Sequence, residues 1–204
     1  MPSVAELSDT TRYRLAATIE HENLHAWLKP YLFARSPVIV SYWVLNLGAL
    51  LVVAYFWRLL RWPFADAFAT MSLGMVAGYL LLVPIHEHVH AFAYRITGAP
   101  SVYVRYSFRT LSAFCTAPGH VVAARDFVKV CLAPFAVLNP ILLLLCLTLP
   151  SPAAALAASG ALLLHIGACS GDIALLQFLW RHRHDRMFTY DDNQAGKSYF
   201  YTAR

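Results

Sequence analysis

The sequence predicts an all-α membrane protein, a bundle of four transmembrane helices with a small β-hairpin on its cytoplasmic side. Three observations lead there. Of 204 residues, 59% are hydrophobic and only 13% are charged, and the mean hydropathy is +0.52, a balance foreign to a water-soluble globule of this length. Four segments, residues 38–57, 67–98, 130–149 and 153–180, reach the roughly 20 apolar residues that a helix needs to cross about 30 Å of hydrocarbon. The basic residues are unevenly placed. All but Arg58 and Arg61 of the sixteen Lys and Arg precede the first span, surround the connection between the second and third, or follow the fourth. The positive-inside rule then puts both termini and that connection in the cytoplasm. An excess of Arg over Lys suggests a GC-rich bacterial genome, so the expected location is a bacterial cytoplasmic membrane. The net charge of +5 is accounted for by orientation and by contact with anionic head groups of the lipid bilayer. No basic surface interleaved with aromatics is present, and no nucleic-acid partner is expected.

Taken in order, residues 1–36 form a polar N-terminal segment at the cytoplasmic face, residues 37–180 the transmembrane domain and residues 181–204 a basic cytoplasmic tail. The first segment has no cleavable secretory signal, so the first span serves as the insertion signal. Within it Leu15, Ile19, Leu24, Trp27 and Leu28, set among charged residues, predict a helix over 10–29 lying on the membrane surface. Between the second and third spans Val102, Val104, Tyr106 and Phe108 alternate with Tyr103, Arg105, Ser107 and Arg109. A second β-compatible run, 111–117, precedes Pro118 and Gly119. The pattern predicts a hairpin over 102–117 that can hold an extended peptide through backbone hydrogen bonds, or serve as a stiff connector resting at the interface. Cys115, Cys131, Cys146 and Cys169 show no paired spacing, and no disulfide framework is expected.

The second span carries His86-Glu87-His88-Val89-His90. On a helix His86 and His90 share a face, where two imidazoles can hold one zinc while Glu87 reaches a water. Ionisable groups at that depth are costly and persist where they have a partner or a task. A hydrolytic zinc needs a third protein ligand and an open position. Glu87 and Asp172 are the carboxylates within the four spans, so Asp172 is the leading candidate. The second and fourth spans run in the same direction, and depth can be compared along them. His88 lies about 10 Å from the cytoplasmic Arg95 and Asp172 about 14 Å from Arg181, at 1.5 Å per residue. Gly167, Ala168, Ser170 and Gly171 around Asp172 let helices pack closely or unwind locally, and Pro84 frees a carbonyl and can bend the helix before the ligands. His165, seven residues before Asp172, is placed to support the site or touch substrate, or to make an interhelical hydrogen bond; Asn139 has the same two readings. His88 points away from the ligand face. His120, His182 and His184 are assigned to the surface.

HEHVHAFAYRITG, KVCLAPFAVLNP and HIGACSGDI, read in that order, resemble the landmarks of the Putative zincin peptidase family. More distantly, the order of a helix with HExxH, a middle helix and a helix with an aspartate is similar to the site-2 intramembrane metalloproteases. The Gly171-Asp172 order departs from the Asp-Gly of that second family. The resemblance implies zinc held by His86, His90 and Asp172, Glu87 as general base, and hydrolysis of peptide bonds in a membrane-protein or peptide substrate. A non-catalytic zinc-binding scaffold or a metal transporter are the competing classes. Glu87, unnecessary for holding metal, argues against the first. The lack of an acidic path argues against the second.

Reporter fusions or cysteine-accessibility mapping test the topology. Probes at the N-terminal segment, residue 120 and residue 195 should report the cytoplasm, and a probe at residue 151 the opposite side.

Overall fold

Each long helix begins and ends where its sequence dictates. A computed structural model describes residues 1–107 and 112–204. Its elements are α1 (Val4–Leu7), β1 (Tyr13–Glu20), α2 (Leu24–Leu32), α3 (Pro37–Leu60), α4 (Phe64–Ile96), β2 (Tyr103–Ser107), β3 (Ser112–Thr116), β4 (Val122–Ala123), α5 (Ala124–Thr148), α6 (Pro152–Ala168), α7 (Ser170–Arg181), β5 (Met187–Asp192) and β6 (Lys197–Ala203). At the start of α3, Ser36 Oγ accepts the N–H of Ile39 at 3.3 Å, with Pro37 in the first helical turn. Ser151 and Pro152 open α6 in the same way, with Ser151 Oγ accepting the Ala154 N–H at 3.4 Å. A serine cap followed by proline satisfies an orphan donor and presets the first helical φ. Among the described residues four spans are long and apolar enough to cross a membrane: α3 with 24 residues, α4 with 33, α5 with 25, and α6 with α7 together 30. They are the four segments expected from hydropathy and make this a multi-pass membrane protein. Val44 and Leu51 on α3, Leu73 and Leu80 on α4, and Leu144 and Leu147 on α5 all face outward. Helices that bury their polar backbone internally and expose leucine suit a lipid solvent.

The fourth span is two helices, not one. At Cys169 (φ −66°, ψ 2°) α6 ends, and α7 begins one residue later with Asp172 in its first turn. A carboxylate there sits near the partial positive charge of the first amides.

The chain divides into two compact units. The first comprises Met1–Ala34, Glu87–Ala133 and Gly171–Arg204, and the second Arg35–His86 and Pro134–Ser170. In the second unit small residues let backbones touch. A Cβ built on Gly74 would stand 1.9 Å from the carbonyl oxygen of Ala157, and one on Gly160 would stand 2.3 Å from that of Met71, so α4 and α6 meet at glycine distance. Tyr42 on α3 donates its hydroxyl to the Gly167 carbonyl at 3.1 Å.

The first unit corrects the all-α expectation. It holds a four-stranded antiparallel sheet in the order β1-β6-β5-β4. Residues 187–192 and 197–203, read from sequence as a basic tail, form a hairpin with Met187 opposite Thr202 and Asp192 opposite Lys197. Aromatic and β-branched residues favour strand here, and the turn is closed by Gly196 at φ 64°. Phe200, 1% exposed, packs against Phe178 at 5.0 Å and Phe127 at 6.0 Å, fastening the sheet to α7 and α5. The predicted helix over 10–29 is also corrected. Tyr13–Glu20 is a strand whose Tyr13 pairs with Ala203 and Glu20 with Lys197, and helix starts only at Leu24. Inter-strand pairing outweighs the local amphipathic pattern. Because β1 and β6 are hydrogen-bonded neighbours, residues 13–20 and 197–203 lie on one side of any membrane the helices cross.

The hairpin between the second and third spans is present as β2 and β3, with Tyr103 opposite Thr116 and Ser107 opposite Ser112. Its expected alternation at Phe108, Arg109 and Leu111 falls outside the described residues. Asp191 ties its exit to the larger sheet. The buried carboxylate accepts the Ser198 hydroxyl at 2.6 Å and the Ala117 N–H at 3.1 Å, and the Asp191 carbonyl accepts the Gly119 N–H at 3.0 Å. Burial holds the Asp191 carboxyl above its ordinary range.

Gly74→Val forces a side chain against backbone, and thermal unfolding in detergent should show a loss of about 1–3 kcal/mol. Gly48→Ala, where a Cβ meets nothing within 4 Å, should instead be neutral or gain about 0.5–1 kcal/mol from helix propensity.

Candidate metal centre

The motif histidines sit on α4, after Pro84, and His86 and His90 leave the same helix face one turn apart. His88 is exposed on another face. His90 is buried, and its ring is held from both edges. Nδ1 lies 2.9 Å from the Val130 carbonyl on α5, and Nε2 lies 3.3 Å from Asp172 Oδ1 on α7. A carbonyl only accepts, so Nδ1 carries the proton and donates. Val130 is available for a simple reason: Pro134, four residues later in α5, has no N–H to give that carbonyl. With the proton on Nδ1, the lone pair of neutral His90 is on Nε2 and points toward a carboxylate oxygen. Two acceptors at that distance need a cation or a proton between them. One imidazole nitrogen and one carboxylate oxygen are ligands that zinc takes, so this donor set fits the metal expected from the motif.

His86 meets a second polar group. Its Nδ1 lies 3.2 Å from His165 Nε2, and His165 Nδ1 lies 2.7 Å from Asn139 Oδ1. Both His165 and Asn139 are buried. Cys169 Sγ stands 3.9 Å from His165 Nδ1, and His86, His165 and Cys169 offer ligand atoms all within 4.8 Å of one another. Sequence reasoning named His165 and Asn139. It missed Cys169 as a neighbour and the Val130 carbonyl, although Pro134 was a readable signal for the latter.

Glu87 is buried in the first unit. Its charge reaches β3: burial first, then Glu87 and Asp191, push the Cys115 thiol up to about 12. The hairpin therefore lies within electrostatic range of the motif glutamate. His120, His182 and His184 stay outside this cluster. His120 Nε2 is 3.2 Å from Thr97 Oγ1, with burial lowering its pKa. His182 is 2.9 Å from Asp185, and His184 is exposed. The four cysteines are free thiols, and Cys131, Cys146 and Cys169 are buried, in keeping with a packing role.

A family model described as Putative zincin peptidase matches residues 79–186, just over half of the 204-residue chain and the stretch containing His86, Glu87, His90 and Asp172. That description implies zinc as the metal and peptide hydrolysis as the class of activity. No curated protein and no solved structure matched the chain.

The Cys115 environment gives a direct probe of Glu87. At pH 8 alkylation of Cys115 should be slow, because the thiol stays protonated. Glu87→Gln removes a nearby negative charge, lowers the thiol pKa and should speed the reaction, as followed by mass spectrometry of the modified peptide.

Proposed function

The chain belongs to the Putative zincin peptidase family, and from that premise we propose that it is a zinc-dependent intramembrane endopeptidase. One observation carries the reading: His90 turns Nε2 toward Asp172 Oδ1 at 3.3 Å while its Nδ1 is engaged by the Val130 carbonyl. His86, one helical turn earlier on the same face of α4, supplies the second imidazole. His86, His90 and Asp172 would together hold the zinc. When bound, zinc acidifies water and polarises a carbonyl.

The protein's own residues do the rest. Glu87 accepts the proton of the attacking water and returns it to the departing amine. A helical peptide bond is hydrogen-bonded and shielded, so substrate must be extended before cleavage. The edge of the β2–β3 hairpin, within reach of the Glu87 charge, offers strand pairing to an unwound segment of a membrane protein. The distribution of basic residues supports a cytoplasmic position for this hairpin and for both termini.

Zinc analysis of the purified protein should give near one equivalent, lost on His86→Ala, His90→Ala or Asp172→Ala. Glu87→Gln should keep zinc and folding but lose about 10²–10⁴-fold in cleavage of single-span substrates in liposomes. Stoichiometric zinc in Asp172→Ala removes that residue from the ligand set. Full turnover by Glu87→Gln overturns the protease reading.

A further inference from the structure

We propose that Asn139 and His165 form a hydrogen-bond relay that fixes the tautomer of His86 and so presents its Nε2 to the metal; the proposal rests on the zinc reading above. The direction of the relay follows from which atoms can donate. Asn139 Oδ1 is an amide oxygen and only accepts, so His165 Nδ1, 2.7 Å away, is its donor. A neutral His165 with its proton on Nδ1 has its lone pair on Nε2. That nitrogen lies 3.2 Å from His86 Nδ1, so His86 donates from Nδ1 and carries its own lone pair on Nε2.

His90 reaches the same state by a separate route, with its Nδ1 proton given to the Val130 carbonyl at 2.9 Å. Two imidazoles one turn apart on α4 are therefore both set to coordinate through Nε2. In water imidazole exchanges between tautomers, and a ligand held in the productive one loses less on binding. Outer partners of metal-bound histidines typically change metal affinity about 10–100-fold when removed. Burial strengthens the effect here. His165 and Asn139 are 3% and 8% exposed, and inside an apolar span few alternative acceptors exist. His165 and Asn139 are positioning residues in this scheme, acting through His86.

The competing role is direct ligation, since His86, His165 and Cys169 could hold a metal between themselves. The two roles predict different results. In full-length, metal-free protein labelled with 15N-histidine, long-range nitrogen–proton correlation should find His86 protonated on Nδ1. His165→Leu and Asn139→Leu should each shift it toward the Nε2–H form. His165→Gln, whose amide oxygen can still accept from His86, should restore the Nδ1–H form.

Zinc affinity, measured by chelator competition, should fall about 10–100-fold in the two leucine variants and recover in His165→Gln. Stoichiometry at saturating zinc should stay at one. Should His165→Leu fail to fold, Asn139→Leu and the wild-type tautomer still decide.

The relay is overturned if wild-type His86 carries its proton on Nε2, or if neither leucine variant moves the tautomer. It is also overturned if His165→Gln loses zinc at saturation and a thiolate-to-cobalt band in the cobalt-loaded protein disappears in Cys169→Ala. If the wild type binds no zinc while its tautomer responds as expected, the relay stands and the metal assignment falls.

Discussion

A histidine nitrogen facing a carboxylate inside an apolar span is the constraint on which the first unit is organised. The Nδ1 proton of His90 is committed to the Val130 carbonyl, and Nε2 looks at Asp172 Oδ1 from 3.3 Å. At that distance the two atoms need a cation or a proton between them. Everything needed to maintain it is local and cheap. Proline in α5 supplies a spare carbonyl, a break at Cys169 starts α7 where Asp172 gains from the helix dipole, and Phe178 and Phe200 anchor α7 to the sheet. The polar geometry is thus bought with backbone defects in otherwise regular helices.

Those defects have a common logic. A transmembrane helix satisfies all of its own hydrogen bonds and has nothing left for chemistry. Pro134 and the interruption between α6 and α7 each release backbone or side-chain groups. The second unit does the opposite. Gly74, Gly78 and Gly160 remove side chains so that α4 and α6 approach closely, backbone against backbone at Gly74 and Gly160.

Much of this was legible in the chain. The four spans follow from hydropathy because helix length is set by bilayer thickness, and the motif with Asp172 follows from the price of ionisable groups in hydrocarbon. The small residues around Asp172 signalled local unwinding, and the structure breaks the helix there. The larger sheet was not read. Tyr199, Phe200, Tyr201 and Thr202, all β-formers, follow an Asn-Gln-Ala-Gly turn, a local strand signal, but the basic residues nearby suggested a tail. For residues 13–20 no local signal sufficed. Leu15 and Ile19 are spaced as on a helix, and only a partner strand nearly the whole chain away makes them β. Long-range pairing is the information that a window of residues cannot contain.

That same pairing orders events in time. β1 is translated before any span, yet its neighbour in the sheet is β6, translated after all of them. Until then β1 presents an unsatisfied edge, and β4 has no β5 to join. The α7 helix that carries Asp172 likewise lacks Phe200 to pack on. Packing of α7 on the sheet therefore waits until β6 has been made, after all four spans.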